Sequence, residues 1–237
     1  MKSILITGAS SGIGLATAKM FLSEGWRVGL LARRADKLSE IADQHSNATA
    51  LPADVTNPAA MTQAFKDFMA EAGRLDVLFN NAGMFGPAAP IDEIALEDFD
   101  QVVSVNLRGM FIAAQEAFRQ MRTQSPQGGR IINNGSISAY VPRDNSICYT
   151  TTKHAITGMT KSLSLDGRPF DIACGQIDIG NAESELVASL KEAQPGMQTM
   201  AVDDAARSVL HMANLPSGAN VQFMTVMATK MPYIGRG

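Results

Sequence analysis

The sequence has few cysteines, few histidines and no long apolar run. Its two cysteines have no metal-type spacing and suggest no disulfide framework, and its three histidines lack ligand-like spacing. No window reaches membrane-spanning length without charges or glycines. The apolar run near the first residue is too short for a signal peptide. These absences predict a cytoplasmic protein without a metal site.

The chain also lacks excess positive charge. A net charge of −3 and a pI near 5.6 argue against a nucleic-acid or membrane-surface partner. Hydrophobic residues make up 46% of the 237 residues and charged residues 18%, so a large core is available. No repeat or low-complexity linker interrupts the sequence, and we expect one domain over residues 1–237.

Strand-like and helix-like segments alternate along the chain. The predicted strands are 3–7, 26–32, 48–53, 75–79, 130–134, 171–178 and 221–227, and the predicted helices are 12–24, 35–44, 58–72, 96–122, 148–166 and 202–213. Such alternation implies parallel strands joined by crossover helices. The sequence therefore predicts an α/β, Rossmann-like, doubly wound parallel sheet of about seven strands with helices on both faces.

A glycine-rich segment, Thr7-Gly-Ala-Ser-Ser-Gly-Ile-Gly14, follows the first predicted strand. Glycines at 8, 12 and 14 let the backbone approach a pyrophosphate, and the dipole of the following helix favours negative charge. The spacing G-x-x-x-G-x-G differs from the more widespread G-x-G-x-x-G. The segment indicates a dinucleotide site, with a tight turn that binds nothing as the alternative.

Tyr149 and Lys153 lie four residues apart on a predicted helix and therefore share a face. A free phenol has a pKa of about 10. A nearby ammonium stabilises the phenolate, so we expect Lys153 to lower the pKa of Tyr149 and fit it for proton transfer. Taken alone, the pair is also compatible with two surface residues.

Several ordered motifs resemble those of short-chain dehydrogenases/reductases of the short, single-domain branch. They are the glycine segment 7–14, Asp54-Val55, Asn80-Asn81-Ala82-Gly83, Asn106, Ser136 and Tyr149-x-x-x-Lys153. The resemblance covers nearly the whole chain and implies a nicotinamide cofactor with reversible hydride transfer to a carbonyl. The implied cofactor-binding residues are Gly8, Ser10, Ser11, Gly12, Ile13, Gly14, Arg33, Arg34, Asp54, Val55, Asn80, Ala82, Gly83, Tyr149, Lys153, Gly180 and Ser184. Asn81 fits either a turn-forming or a binding role.

The resemblance also implies a catalytic set of Asn106, Ser136, Tyr149 and Lys153. Ser136 follows a predicted strand, where its hydroxyl can stabilise charge on a reacting oxygen, and Ser138 is the competing choice. Asparagine is a poor helix former, so Asn106 within an apolar helix needs a reason. The resemblance supplies one, a water-mediated proton relay to Lys153, and the alternative is a polar residue on a wet helix face. Lys153 is also implied to bond the nicotinamide ribose.

Cofactor choice is indicated at the end of the second predicted strand. An NAD-selecting protein places a carboxylate there, whereas this chain has Ala32-Arg33-Arg34. Guanidinium groups bind a 2′-phosphate through charge-assisted bonds, so the sequence favours NADP(H). Ser11 stands where many NADP-preferring relatives have a second basic residue. The alternative for the two arginines is a solvated helix start.

Two segments depart from the family pattern. Ile179-Gly180 replaces the frequent Pro-Gly, and Asp-Gly-Gly is missing after the last predicted strand. Ser184 nevertheless falls where a hydroxyl often meets the nicotinamide carboxamide. Residues 181–201, with Ala182, Leu186, Val187, Leu190 and Met197, form either a substrate lid or an ordinary surface helix.

Three functional hypotheses follow. The first is an NADP(H)-dependent carbonyl reductase or alcohol dehydrogenase acting on a small molecule. The second is a non-catalytic NADP(H)-binding sensor, against which the full catalytic set argues. The third is a sugar-nucleotide epimerase, for which the chain lacks the extra substrate domain. Apolar residues beyond one core stripe on the helices near 96–122 and 148–166, among them Met110, Phe111, Ile112, Phe118, Ile156, Met159 and Leu163, predict a homo-oligomer, a tetramer or dimer.

Overall fold

The computed structural model describes residues 1–184, 187 and 196–234. A parallel sheet of seven strands forms its centre, in the order β3-β2-β1-β4-β5-β6-β7. The strands are β1 (Ser3–Thr7), β2 (Arg27–Ala32), β3 (Ala48–Pro52), β4 (Val77–Asn80), β5 (Gly129–Asn134), β6 (Ile172–Gly180) and β7 (Phe223–Met227). All neighbouring pairs are parallel, which confirms the predicted fold class.

Helices cover both faces of the sheet. They are α1 (Gly12–Ser23), α2 (Ala35–Ala42), α3 (Pro58–Ala72), α4 (Leu96–Val103), α5 (Met110–Thr123), α6 (Ile147–Gly167) and α7 (Val202–Asn214). On one face, Phe21 of α1 and Val209 of α7 pack against Ile4 and Ile6 of β1. On the other face, α3 and α5 pack in a second cluster that includes Leu5, whose side chain points away from those of Ile4 and Ile6. Within the described residues, no helix has both the length and the apolar character to cross a bilayer.

Local sequence explains the ends of the elements. All five residues of β1 are buried, as expected for a strand covered on both faces. The Asn57 side chain caps α3 by accepting from the backbone N–H groups of Ala59 and Ala60, and Pro58 occupies the first turn. Gly73, at φ 73°, ends the same helix in the left-handed conformation.

The predicted long helix over 96–122 differs from the structure. A π-helical segment, Ser104–Gly109, separates α4 from α5. Asn106 lies in this segment, and its side chain bonds to the backbone of Met84 rather than pointing to water. π-helical turns often occur at functional sites, and this one holds a residue of the predicted catalytic set.

The apolar residues offered as an oligomer contact divide into two groups. Met110, Ile112 and Ile156 are buried in the core of the chain and are not available to a partner. Phe111 on α5 is 55% exposed, and Phe118, Met159 and Leu163 are half-buried. The prediction of an oligomer therefore rests on fewer residues than the sequence suggested.

Sheet order reverses between β1 and β4. From β1 the chain winds outward to β3, then returns to β4 on the other side and continues to β7. Connections leave the carboxyl ends of β1 and β4 in opposite directions and open a crevice there. The glycine segment and the Asn80–Gly83 segment both begin at this crevice.

Candidate active site

A cavity of about 510 Å³ lies along the carboxyl ends of the strands. It extends from Arg33 and Asp54, beyond β2 and β3, to Tyr149 and Lys153 on α6. Most of the predicted site residues line it: Gly8, Ser10, Ser11, Gly12, Ile13, Arg33, Arg34, Asp54, Val55, Ala82, Gly83, Ser136, Tyr149, Lys153 and Ser184. The structure thus brings the two halves of the predicted site to one cavity.

The glycine segment forms the turn between β1 and α1. Gly8 and Gly12 adopt φ values of 70° and 52°, which disfavour other residues. Gly14 does not line the cavity, and a Cβ there would collide with the carbonyl oxygen of Gly8. It is therefore needed for close packing of the helix on the turn. The N-terminus of α1 faces the cavity, so the segment fits a pyrophosphate.

Arginine side chains border the cavity beyond β2. The Arg34 Nε donates to the Ser10 hydroxyl at 3.1 Å, which joins this border to the glycine segment. Asp54 accepts from the Thr56 N–H at 2.9 Å and the Thr56 hydroxyl at 2.8 Å. The backbone bond from Thr56 chiefly lowers the pKa of Asp54, and Arg33 adds to the effect. This end of the cavity suits a ribose with an added anionic group.

Asn81 supports the glycine segment. Its backbone N–H donates to the Thr7 hydroxyl at 2.8 Å, and its Nδ2 donates to the Thr7 carbonyl at 3.0 Å. Its Oδ1 accepts from the Asn134 side chain at 2.8 Å, which ties the carboxyl ends of β4 and β5 together. Of the two roles that the sequence left open, these contacts support the structural one, in which Asn81 holds the turn after β1. Asn81 also lines the cavity.

Three of the predicted cofactor residues lie behind the cavity wall. Gly14 is one of them, as described above. Asn80 is buried and donates to the Met110 carbonyl at 2.7 Å and to the Asn133 side chain at 3.3 Å. Gly180 packs against β7, where a Cβ would lie 2.8 Å from that of Met227. These positions shape the wall, and the structure does not place them on the cavity surface.

Ser136 and Tyr149 face each other across the inner end of the cavity. Ser136 follows β5, is 2% exposed, and accepts from the Ser138 N–H at 3.1 Å. Ser138 is buried and does not line the cavity, so the geometry favours Ser136 of the two serines. Tyr149 lies in the first turn of α6, and its ring meets Phe85 edge-to-face at 4.8 Å between centroids.

The pKa of Tyr149 is shifted in the direction opposite to the one expected from the sequence. Burial raises the pKa of the phenol, and this effect exceeds the lowering by a Ser136 hydrogen bond and by the Arg143 charge. The sequence-based expectation considered only the neighbouring ammonium. It omitted desolvation, which follows from the packing of Phe85 and α6 around the ring.

Lys153 is 3% exposed, and its Nζ donates to the Asn134 carbonyl at 2.7 Å. The Nζ lies 5.3 Å from the centroid of the Tyr149 ring. Burial lowers the pKa of Lys153 to about 8, against an opposing effect of Asp178. Two N–H groups remain beyond the one that bonds Asn134, so the ammonium suits a hydroxyl ligand such as a ribose.

Asn106 is fully buried and lies outside the cavity lining. Its Oδ1 accepts from the Met84 N–H at 2.8 Å, and its Nδ2 donates to the Met84 carbonyl at 2.8 Å and to the Thr152 hydroxyl at 3.2 Å. The side chain thus joins the segment after β4 to α6. These contacts, rather than a wet helix face, explain an asparagine within this helical region.

A buried carboxylate, Asp178 on β6, was missed by the sequence analysis. Its Oδ1 accepts from the Ser136 N–H at 2.9 Å and from Gln176 Nε2 at 2.7 Å. A Cβ on Gly135 would collide with this oxygen, so the glycine is required beside the carboxylate. Gln176 in turn bonds Thr157 and Thr160 on α6. Polar residues at alternate positions of a buried strand, Gln176 and Asp178, were the available signal.

The segment after β6 contributes to the outer wall. Asn181, Ala182, Ser184 and Val187 line the cavity, and Ala182 pairs with Met200 in an isolated bridge. Leu186 and Leu190 of the predicted lid lie outside the described residues. Met197 is half-buried. The lid over 181–201 stays a prediction.

Comparisons with known proteins extend over this site. The model of the short chain dehydrogenase family matches residues 2–195. An uncharacterized oxidoreductase of Bacillus subtilis, YxjF, is 35% identical over 187 residues, which cover 77% of this chain and 72% of the relative. The 2-(R)-hydroxypropyl-CoM dehydrogenase of Xanthobacter autotrophicus is 35% identical over 189 residues, which cover 77% and 75%.

Solved structures agree in fold. A 3-ketoacyl-(acyl-carrier-protein) reductase from Brucella melitensis, in a crystal structure complexed with NADH, is 26% identical to this chain. It aligns with a TM-score of 0.88 over 95% of this chain and 96% of its own. The range matched by the family model includes the glycine segment, Ser136, Tyr149 and Lys153.

Proposed function

The chain belongs to the short-chain dehydrogenase family of oxidoreductases, and on that basis we propose that it interconverts a carbonyl and a secondary alcohol with NADP(H). One observation carries the proposal. Ser136, Tyr149 and Lys153 converge at the inner end of a cavity whose other end is formed by the glycine segment and two arginines. A proton-transfer group therefore lies within the same cavity as a dinucleotide cradle.

Tyr149 acts as the general acid when a carbonyl is reduced. A nicotinamide bound in the cavity would supply the hydride. The raised pKa keeps the phenol protonated at neutral pH, so it has a proton to give to the carbonyl oxygen. The Ser136 hydroxyl donates a second hydrogen bond to the same oxygen and stabilises its developing negative charge.

Lys153 orients the nicotinamide ribose and places positive charge beside the reacting oxygen. With a pKa of about 8, it is mostly an ammonium at neutral pH. Its bond to the Asn134 carbonyl fixes the Nζ at the carboxyl end of β5. Asn106 bonds both the Met84 backbone and Thr152 on α6, so it fixes the position of α6 and acts as a positioning residue.

NADP(H) is the proposed cofactor because the border beyond β2 has no carboxylate. Ala32 occupies the position of an NAD-selecting acid, and the cavity there is lined by Arg33 and Arg34. A guanidinium binds a 2′-phosphate through charge-assisted bonds. The Brucella relative is complexed with NADH, so the preference is proposed from this chain's own residues.

A panel of ketones and secondary alcohols, followed at the nicotinamide absorbance with both cofactors, tests the proposal. We expect turnover, with a higher kcat/KM for NADPH than for NADH. Nucleotide binding without turnover of any panel member would favour the sensor hypothesis. Better use of NADH than of NADPH would contradict the cofactor assignment.

A further inference from the structure

Arg143 is a cation of the cavity wall that the proposed chemistry does not use. It lies in the connection between β5 and α6, six residues before Tyr149, and lines the cavity. Its Nε is buried, and the residues described here give that atom no hydrogen-bond partner. Burying a guanidinium N–H without a partner is costly, so a bound group that accepts from it is favoured.

Arg143 lies at the end of the cavity where the proton is transferred. The central guanidinium carbon is 5.7 Å from the centroid of the Phe85 ring. Phe85 in turn contacts the Tyr149 ring. The Arg143 charge lowers the pKa of Tyr149, against the larger effect of burial, so the guanidinium acts electrostatically on the phenol.

The acidic side chain on the described cavity surface lies away from Arg143. Among the described residues that line the cavity, the one acidic side chain is Asp54, which is at the Arg33 end and is bonded to Thr56. At the Tyr149 end, the surface carries the Arg143 and Lys153 cations beside the apolar pair Met84-Phe85. Asp178 lies behind the surface and bonds Ser136 and Gln176.

We propose that Arg143 binds the substrate through a carboxylate, so that the enzyme acts on oxo acids and the corresponding hydroxy acids. This inference rests on the proposed function. A guanidinium matches a carboxylate with two parallel N–H groups, and such pairs are strong when partly shielded from water. The neighbouring apolar residues accommodate the carbon chain between the carboxylate and the carbonyl.

Matched substrates and variants test the role of Arg143. We would compare 3-oxobutanoate and 4-oxopentanoate with their methyl esters, using the parent, Arg143→Gln, Arg143→Lys and the control Arg168→Gln. Arg168 is exposed and lies just before β6, at the amino ends of the strands, whereas the cavity is at their carboxyl ends. We expect the parent to prefer acids, and Arg143→Gln to lower the acid-to-ester ratio of kcat/KM by about 10- to 150-fold. Arg143→Lys retains part of the preference, and Arg168→Gln retains all of it.

Equilibrium binding separates this inference from the redox proposal. 4-Oxopentanoate would be titrated calorimetrically into parent and Arg143→Gln proteins saturated with NADP⁺, which cannot reduce it. We expect the loss of Arg143 to weaken binding by the same 10- to 150-fold. Binding by the parent without turnover under NADPH would contradict the proposed function alone. An unchanged acid-to-ester ratio in Arg143→Gln, or no binding by the parent, would overturn the Arg143 assignment.

Discussion

The two halves of the sheet border one cavity but are built from different side chains. In β1 and β2 the buried residues are mainly apolar, and the groups proposed to recognise the nucleotide lie on turns beyond the strands. In β5 and β6, polar side chains are buried within the sheet itself: Asn133, Asn134, Gln176 and Asp178. The first half presents the backbone of the glycine segment and the arginine side chains to the cavity. The second half contains a network of hydrogen bonds among buried polar side chains.

This difference reflects two tasks. A pyrophosphate is bound by backbone N–H groups and a helix dipole, which a glycine turn supplies without buried polar side chains. Proton transfer requires a hydroxyl and an ammonium in fixed positions, and the buried network holds Ser136 and Lys153 by their neighbours. Substitutions in the first half should therefore change nucleotide binding, and loss of the Ser136 or Tyr149 hydroxyl in the second half should change turnover.

The largest expected effect is on the catalytic side. Tyr149→Phe removes the transferable proton and keeps the ring packed against Phe85. General acid–base catalysis contributes roughly 10²–10⁴-fold, so kcat should fall by at least that range. NADPH affinity, measured by fluorescence titration, should hardly change. Near-normal turnover by this variant would show that Tyr149 is not the general acid. Proton transfer could then no longer be assigned to the second half of the sheet.

A smaller effect is expected on the nucleotide side. Arg33→Ala should weaken NADPH by about 10- to 150-fold, because one charge-assisted contact contributes about 1.5–3 kcal/mol. NADH use should stay nearly the same, since that cofactor has no 2′-phosphate. The measurement is kcat/KM with each cofactor, with Arg168→Ala as an exposed control. Equal losses with the two cofactors would contradict a phosphate-binding role.

A pH profile sharpens the role of the buried network. Lys153 has a pKa of about 8, so reductive kcat/KM should decline as the pH rises through that value and the ammonium is lost. The Asp178 charge raises the pKa values of both Lys153 and Tyr149. Asp178→Asn removes that charge, so we expect the alkaline limb to move to lower pH, by roughly one unit.

Asp166→Asn is the matched control for this profile, because Asp166 is exposed near the far end of α6. Its alkaline limb should coincide with that of the parent. If the alkaline limb of Asp178→Asn coincided with that of the parent, or moved to higher pH, Asp178 would not be coupled electrostatically to Tyr149 and Lys153.

The smallest catalytic effect is expected at Phe111. We propose that exposed Phe111 on α5 contributes to the contact between subunits of a homo-oligomer. That contact would lie on the half of the chain that carries the proposed proton-transfer residues. Phe111→Glu should lower the mass seen by light scattering at micromolar concentration while leaving kcat/KM within about 3-fold of the parent. A parent that is monomeric at that concentration would refute the oligomer.

The fold was predictable because its signals are local and repeated. Continuous apolar runs such as Ile4–Ile6, each followed by an amphipathic segment, indicate buried parallel strands and crossover helices. The glycine segment and the Tyr149–Lys153 spacing located both ends of the cavity. The π-helical segment was not predictable, because it depends on contacts between Asn106 and the distant Met84 backbone.

The raised pKa of Tyr149 and the role of Asp178 depend on tertiary packing in the same way. A helical spacing of four residues places Lys153 near Tyr149 but says nothing of desolvation by Phe85. Asp178 reaches Ser136 across the β5–β6 pair, through a register that the sequence does not specify. Gly14 and Asn80 match family motifs, and Gly180 keeps the glycine of the altered Pro-Gly pair, yet the structure places all three behind the cavity wall.

A double-mutant cycle between Arg33→Ala and Tyr149→Phe tests the division of tasks most directly. NADPH dissociation constants and single-turnover rates at saturating NADPH would be measured for the parent, both single variants and the double variant. We predict that Arg33→Ala changes only the dissociation constant, that Tyr149→Phe changes only the rate, and that the two effects add within about 0.5 kcal/mol. Hydride transfer by Tyr149→Phe at close to the parental rate, or a loss of NADPH affinity in that variant as large as in Arg33→Ala, would contradict it.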